Sequence, residues 1–577
     1  LTAFLQPDSP AIRPRNYPFV NHRGAKIRFL LDRWINPFLT RHNMLDRGHS
    51  LRFQNLAFLR DLLPRGLDLR ARKAARISGL GLRLMSLKEG EPRFAQDIVR
   101  GKFVFSGVMT TATPLHLFNL APPTQGWAAA LHSLDWLNHF VASGQELNRI
   151  VARLLVEKWA SYCGPRFGIA SECHALMALS QAAHFLAGEG SAFTAPFFAI
   201  VEKQIRRVSS QRARDPTDRL LLALSLLYAS VAFRTSGALR DEAIARFCST
   251  INQVILPDGG HITRDPLQLL ETLLIIIPVM DAMQAHHQAV PRPMSAAVER
   301  MVPMLRMLCH GDQDLCNFQG AGRPRPQWVK SILDRDKVDG RPLILAPHSG
   351  YGRLSHRNGL LIVDLGAAAT CNSPLALEFS DGQHRIFSSC GMPLTASAAW
   401  REAASSIAAH NTLEVNGFST PSQNPRRTEV ITSPHGSLLK CGNHVSAKQG
   451  GIIHERSLFL SQTGKDLRGE ESLSTRDYSF IVRFHLHTAV RASSVRNGSK
   501  IVLLLPNRAA WIFSSSGGVL SLEESVFLGE ENGPRRTRQI VIRSLPGNQT
   551  PVKWALRRID KASATAGQKQ VAAELPF

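Results

Sequence analysis

A chain of 577 residues is too long for one ordinary core, so two or more packed units are expected. Lys and Arg number 69 against 45 Asp and Glu, a formal charge of +24 that exceeds what solubility needs and points to a polyanionic partner, or else to a solvated basic surface. The most apolar run, Leu269 to Met280, carries Glu271 and Pro278 and falls short of the about 20 residues of a membrane-spanning helix, so an integral membrane protein is not expected.

Residues 1–104 read as an Arg-rich extension laid against the main body, broken by Pro and Gly, with helical fragments such as Arg28 to Leu39. Between Ile12 and Val104 about twenty basic residues face about seven acidic ones, mostly as Arg, which favours bidentate contact with carboxylates, sulfates or phosphates. Acidic glycans, nucleic acids and anionic membrane surfaces all fit that charge. The chain opens at Leu1 without Met and shows no continuous apolar segment before Pro18, so no signal peptide is visible.

Residues 105–320 form a helical block. Apolar residues recur at helical spacing over Ala175 to Leu186, Leu220 to Phe233 and Leu269 to Met283. Pro257-Asp258-Gly259-Gly260 predicts a turn that stops one helix, and Asp265-Pro266 a cap that begins the next. Arg323-Pro324-Arg325-Pro326 reads as a linker.

Over residues 321–560 short alternating segments replace the helices: Leu360 to Leu365, Leu375 to Phe379, Ile452 to Leu460, Tyr478 to Leu486, Lys500 to Leu505 and Ala509 to Phe513. This predicts a large antiparallel β-sandwich, with a fraying tail over 561–577. The triplet His410-Asn411-Thr412 enters another such run, in which Leu413 and Val415 share one face. A histidine there is either a hydrogen-bonded structural residue or a ligand-facing one. The eight cysteines occur singly, without CxxC or zinc-ribbon spacing, so a disulfide framework is not expected.

Several strings, in order, resemble the heparinase II/III-like family of polysaccharide lyases: Leu256 through Pro266, His310-Gly311-Asp312 through Asn317-Phe318, Leu375 through Ser380, Trp400-Arg401-Glu402, His410-Asn411-Thr412, Asp466 through Glu470, Phe484 through His487 and Leu522 through Val526. The resemblance spans roughly Trp127 to Trp554. It implies a multidomain α+β protein, an incomplete (α/α) toroid followed by a large antiparallel β-sandwich. It also implies β-elimination on a uronic-acid-containing acidic glycan: the uronate carboxylate is neutralised, and a Tyr or His removes the proton on the adjacent carbon. The alternative is a catalytically weakened glycan-binding or envelope-polysaccharide assembly protein of the same fold. The family implies a cell-envelope or periplasmic setting; the alternative is the cytoplasm, since no signal peptide is visible in a sequence whose start can be incomplete.

The chain departs from the family where it matters chemically. Relatives follow the toroid string with a Tyr-His pair; here Leu267, Gln268 and Leu269 stand there. Tyr162, at a helix end, is then the leading base and Tyr228, in Leu-Leu-Tyr-Ala-Ser, a core residue. His261, after a Gly-Gly turn, and His410 are the other catalytic candidates, and Arg264, Asn317, Asn411 and Arg456 the substrate-binding ones. His261, Arg264, Asn317 and His410 are expected to converge on one groove between block and sandwich. Zinc-holding relatives place a His, an Asp and the triplet His in the sandwich; the matching residues here are Cys371, Ser389 and His410, too few good ligands, so no cofactor is expected. Nucleic acid is disfavoured as a partner because the basic segments lack regular aromatic interleaving.

Overall fold

The computed structural model describes residues 76–559, apart from short segments at 163–166, 189–190, 323–324, 336–341, 368, 394–397, 416–427, 447–450, 476, 496–497, 530–532 and 545–550. The Arg-rich stretch before residue 76, with the helix expected over Arg28 to Leu39, and the tail from 560 lie outside the described residues. All described residues belong to one compact unit, residues 68–577.

The N-terminal half of that unit is helical. Pro92–Val99 and a small hairpin, Lys102–Phe105 paired with Val108–Thr111, lead into a succession of helices from Gln125–His132 to Arg292–Met307. Local chemistry sets where helices begin. Asp215 and Asp265 each precede a proline at the first helical position, and each carboxylate accepts N–H groups of the opening turn, Thr217 and Asp218 in one case and Leu267 in the other. The helix expected over Ala175 to Leu186 is two helices, Gly168–Gln181 and Ala183–Ala187, separated at Ala182.

Helix Pro266–Ala285 has 20 residues and is long and apolar enough to cross a membrane. It is nevertheless a core element, with 67% of its apolar window buried and Leu270, Leu273 and Ile276 fully covered by neighbours. Apolar residues all round a helix are what central packing requires.

The C-terminal half is β-rich. A five-stranded antiparallel sheet runs Leu345–Ala346, Tyr351–His356, Gly359–Asp364, Leu377–Asp381, His384–Phe387. A four-stranded sheet orders Val519–Phe527, Arg535–Arg543, Phe480–His485 and Leu413–Val415, and an eight-stranded sheet extends from Arg491–Val495 at one edge to Glu429–Ser433 at the other. Leu413 and Val415 both enter the shared core, as their alternation requires, together with Phe379, Phe387, Phe484, Trp511, Phe513 and Trp554. The indole of Trp554 lies flat over Gly469, where an added Cβ would stand 2.2 Å from the ring, so only glycine fits.

These elements are an incomplete (α/α) toroid followed by an antiparallel β-sandwich. The expected linker at Arg325 and Pro326 opens a further helix, Pro326–Leu333, between them.

Candidate functional site: the seam between toroid and sandwich

The predicted turn at Asp258 is the first tie across the two halves. Its carboxylate accepts the backbone N–H groups of His348 and Ser349, at 2.8 and 2.7 Å, and the Ser349 hydroxyl. Gly259 has φ +87°, and a Cβ there would press within 2.0 Å of the Arg300 carbonyl, so the turn demands glycine.

Arg264 is the second tie. Its guanidinium donates to the carbonyls of Ser349 (2.7 Å), Gly350 and Ala367, and forms an ion pair with Asp364. Tyr351 donates its hydroxyl to the Arg264 carbonyl and presents its ring 5.2 Å from the guanidinium carbon. The other oxygen of Asp364 accepts from Gln319 (2.6 Å) and Ser373 (3.0 Å). Burial opposes the charge of Arg264, but Asp364 and Tyr351 outweigh it and raise its pKa.

A second cluster lies around Glu378. His310 reaches Ser380 with Nδ1 and Glu378 with Nε2, both at 3.0 Å, and the remaining Glu378 oxygen accepts the N–H groups of Asn317 and Ser389. The Asn317 amide donates to Ser388 at 2.9 Å. Arg385 forks onto Asp312 and donates to the Leu315 carbonyl; burial alone would raise the Asp312 pKa, but Arg385 holds it below its usual value.

The triplet braces the sandwich. The Asn411 amide donates to the Leu377 carbonyl (2.8 Å) and its oxygen accepts the His485 N–H (2.5 Å), while the Thr412 hydroxyl donates to the Pro374 carbonyl. Arg456 is fully buried. It grips Glu471 through Nε at 2.9 Å and donates through Nη1 to the carbonyls of Leu375 and Asn411. Glu471 also meets His454 (2.7 Å) and Trp554 (3.1 Å); desolvation would raise its pKa, yet Arg456 and His454 bring it down to about 2.

His410 differs from these neighbours. It is 2% exposed, and neither ring nitrogen makes a hydrogen bond of good geometry, although the Ala404 carbonyl lies on its side. Burial lowers its pKa to about 4 against the opposing pull of Asp364 and Glu378, so the ring is neutral near pH 7. His261 is also 2% exposed. Its Nδ1 lies 2.7 Å from the Thr263 hydroxyl and accepts the Thr263 N–H, its Nε2 has no partner, and burial lowers its pKa to about 4.

Arg264, Asn317 and His410 therefore share neighbours, the carboxylates of Asp364 and Glu378, while Asn411 and Arg456 join them through backbone carbonyls. Tyr162 caps the helix Glu146–Ser161 and packs half-buried in an aromatic cluster, its ring centroid 4.9 Å from that of His132 and 6.5 Å from that of Phe118. Tyr228 is a core residue that donates to the Ile275 carbonyl at 2.8 Å. Asp364, Glu378 and Glu471, the carboxylates that organise the seam and the sandwich wall, escaped the sequence reading. The only signal for Asp364 and Glu378 was their place in strongly apolar strands, whereas Glu471 stands in a strand rich in charged residues.

The zinc positions fit a metal poorly. The Cys371 thiol is pushed up to about 12 by burial, Ser389 offers a hydroxyl, and Asp364 and Glu378 are engaged by Arg264 and His310. Among the described residues no group of three or more His, Cys, Asp or Glu is placed to hold a metal ion.

Residues 338–555 match the family model described as "Heparinase II/III-like, C-terminal". A curated relative, FtsZ-localized protein C of Caulobacter vibrioides, is 27% identical over 84% of this chain and 91% of its own length. Among solved structures, Heparinase III superposes with a TM-score of 0.64 at 12% identity, covering 78% of this chain and 80% of its own. Heparan sulfate lyase HepC of Pedobacter heparinus gives 0.58 at 13%, covering 82% and 84%.

Proposed function

The chain belongs to the heparinase II/III-like family through its C-terminal domain, and from that premise we propose that it engages a uronate-bearing acidic polysaccharide and turns it over only weakly as a lyase. The observation that carries this reading is the burial of both candidate histidines, His261 and His410, each 2% exposed. A β-elimination base must come within hydrogen-bond reach of a sugar proton. The net charge of +24 and the unpaired cations described below supply attraction for a polyanion, which binding needs and turnover alone does not. The test is incubation with a panel of acidic polysaccharides, following absorbance of the unsaturated uronate product beside direct binding. Binding with slow or no product is expected; fast elimination overturns the weak-turnover reading, and absence of binding to every member overturns the glycan.

One observation favours a second role. The relative whose name places it with FtsZ aligns at 27% identity, about twice that of the lyase structures. In this reading the glycan-handling fold acts where FtsZ assembles, with the envelope polysaccharide as its object. Measurable binding of the full chain to purified FtsZ is the expected result, and its absence removes this role.

A further inference from the structure

Two cavities open on the toroid away from the seam. One of about 490 Å³ lies among Pro92–Val99, the Lys102–Phe105 hairpin, Gly168–Gln181 and Pro326–Leu333; the other, of about 280 Å³, reaches His184 and Arg83. They share Lys88, Glu89, Asp135 and Asn138, so they form one continuous groove. Its combined size suits a short oligosaccharide rather than a single small ion.

The groove's chemistry differs from that of the seam. Trp328 stands in its wall with the Lys88 ammonium 5.0 Å from its ring centroid, while Phe94 is already stacked on His139 at 5.0 Å and covered by Arg325 at 5.7 Å. Among the described residues neither the half-buried Lys88 nor the exposed Lys102 has a carboxylate within ion-pair distance, so both ammonium groups can meet a ligand anion. Asp97 is likewise uncommitted, and Asp135 stands 3.8 Å from His174, half-exposed in the same wall. Apolar ring faces take the C–H faces of pyranose rings, carboxylates and the Asn138 amide oxygen, whose nitrogen already donates to the Lys88 carbonyl, take hydroxyls, and free ammonium groups take a sugar carboxylate.

We propose that this toroid groove is a binding site for a uronate-bearing oligosaccharide, with Trp328 as the stacking platform and Lys88 and Lys102 as the carboxylate contacts. It rests on the acidic-glycan reading above and assigns that glycan a place which the seam, with its cations already paired, does not offer. The deciding experiment is calorimetric titration of the full chain with tetragalacturonate and with a neutral tetrasaccharide, on wild type, Trp328→Ala and Lys102→Glu. Trp328 packs against the toroid core, so its variant needs a melting curve; Lys102 is exposed, and its variant reads the site without that complication. Tetragalacturonate should bind wild type in preference to the neutral sugar, with affinity lowered roughly tenfold by either substitution. Unchanged affinity in Lys102→Glu and in folded Trp328→Ala, with wild type still binding, overturns the groove and leaves the acidic-glycan reading standing. Failure of wild type to bind any uronate chain overturns both, and equal binding of the neutral sugar overturns the role of the two lysines.

Discussion

The seam and the toroid groove are both polar and both carry Lys or Arg beside Asp or Glu, yet they spend their charge in opposite ways. At the seam Arg264 and Arg385 are buried, and each is held by a carboxylate and by at least one backbone carbonyl. In the groove Lys102 is exposed and Lys88 half-buried beside Trp328, and among the described residues neither meets a carboxylate. A cation whose partners come from its own chain defines the fold; one without such partners can define a ligand. At the seam the planar fork of Arg suits this role, because it can hold a carboxylate and backbone carbonyls at once.

If that contrast is right, the largest effect comes from breaking a seam pair. Arg264→Ala strands Asp364 in a buried site and should cost about 3–5 kcal/mol in urea unfolding. Lys102→Glu should cost less than about 0.5 kcal/mol. Comparable losses would erase the distinction between the two regions.

Acid should unfold the protein through its buried histidines. His410 and His261 have folded pKa values of about 4 against an ordinary 6.5, and His485 about 3. A folded pKa below the unfolded one means that the unfolded chain takes up the proton first. The stabilisation is therefore whole above about pH 6.5 and is lost as pH falls towards 4, by on the order of 3 kcal/mol for each such group. Melting temperature measured from pH 7.5 to 4.5 should fall steeply, and a flat profile would contradict the burial of these rings. His410→Leu should flatten part of that fall and leave stability at pH 7 unchanged or about 1 kcal/mol higher, because neither ring nitrogen has a hydrogen bond to lose. A loss above about 2 kcal/mol at pH 7 would mean that His410 has a partner in solution.

Much of the architecture was legible in the sequence because its signals are local. Asp265-Pro266 is a cap that acts within two residues, and Leu413 and Val415 declare their face by alternation alone. The strands that gave no clear signal, among them Asp466–Leu473 and Arg535–Arg543, carry charged residues that pair within or across the sheet, as Arg543 does with Glu523. The seam was harder still. Asp364 is 100 residues from Arg264, and nothing near Arg264 shows that its charge is spent on the other half of the fold rather than on the adjacent Asp265. The groove was hidden for a related reason: Lys88 and Lys102 lie in a stretch that reads as an extension, while Trp328 stands just past the expected linker, in the stretch that reads as sandwich.

Tyr162→Phe should have the smallest effect and sharpens the comparison from the enzymatic side. The residue ends the helix Glu146–Ser161 against His132 and Phe118, and the substitution keeps the ring and its packing while removing one hydroxyl. Stability should change by less than about 0.5 kcal/mol, and affinity for tetragalacturonate should be unchanged, because Tyr162 lines neither the seam nor the groove. Turnover is the informative quantity. If the slow elimination proposed for wild type depends on a tyrosine base, it should drop roughly a hundredfold in this variant while binding persists, a pure loss of transition-state stabilisation. If residual turnover is the same with and without the hydroxyl, Tyr162 is an aromatic packing residue and the chain's surviving function is binding alone. Loss of both binding and turnover in a folded Tyr162→Phe protein would place the glycan against the His132 cluster instead, and the groove would no longer be its site.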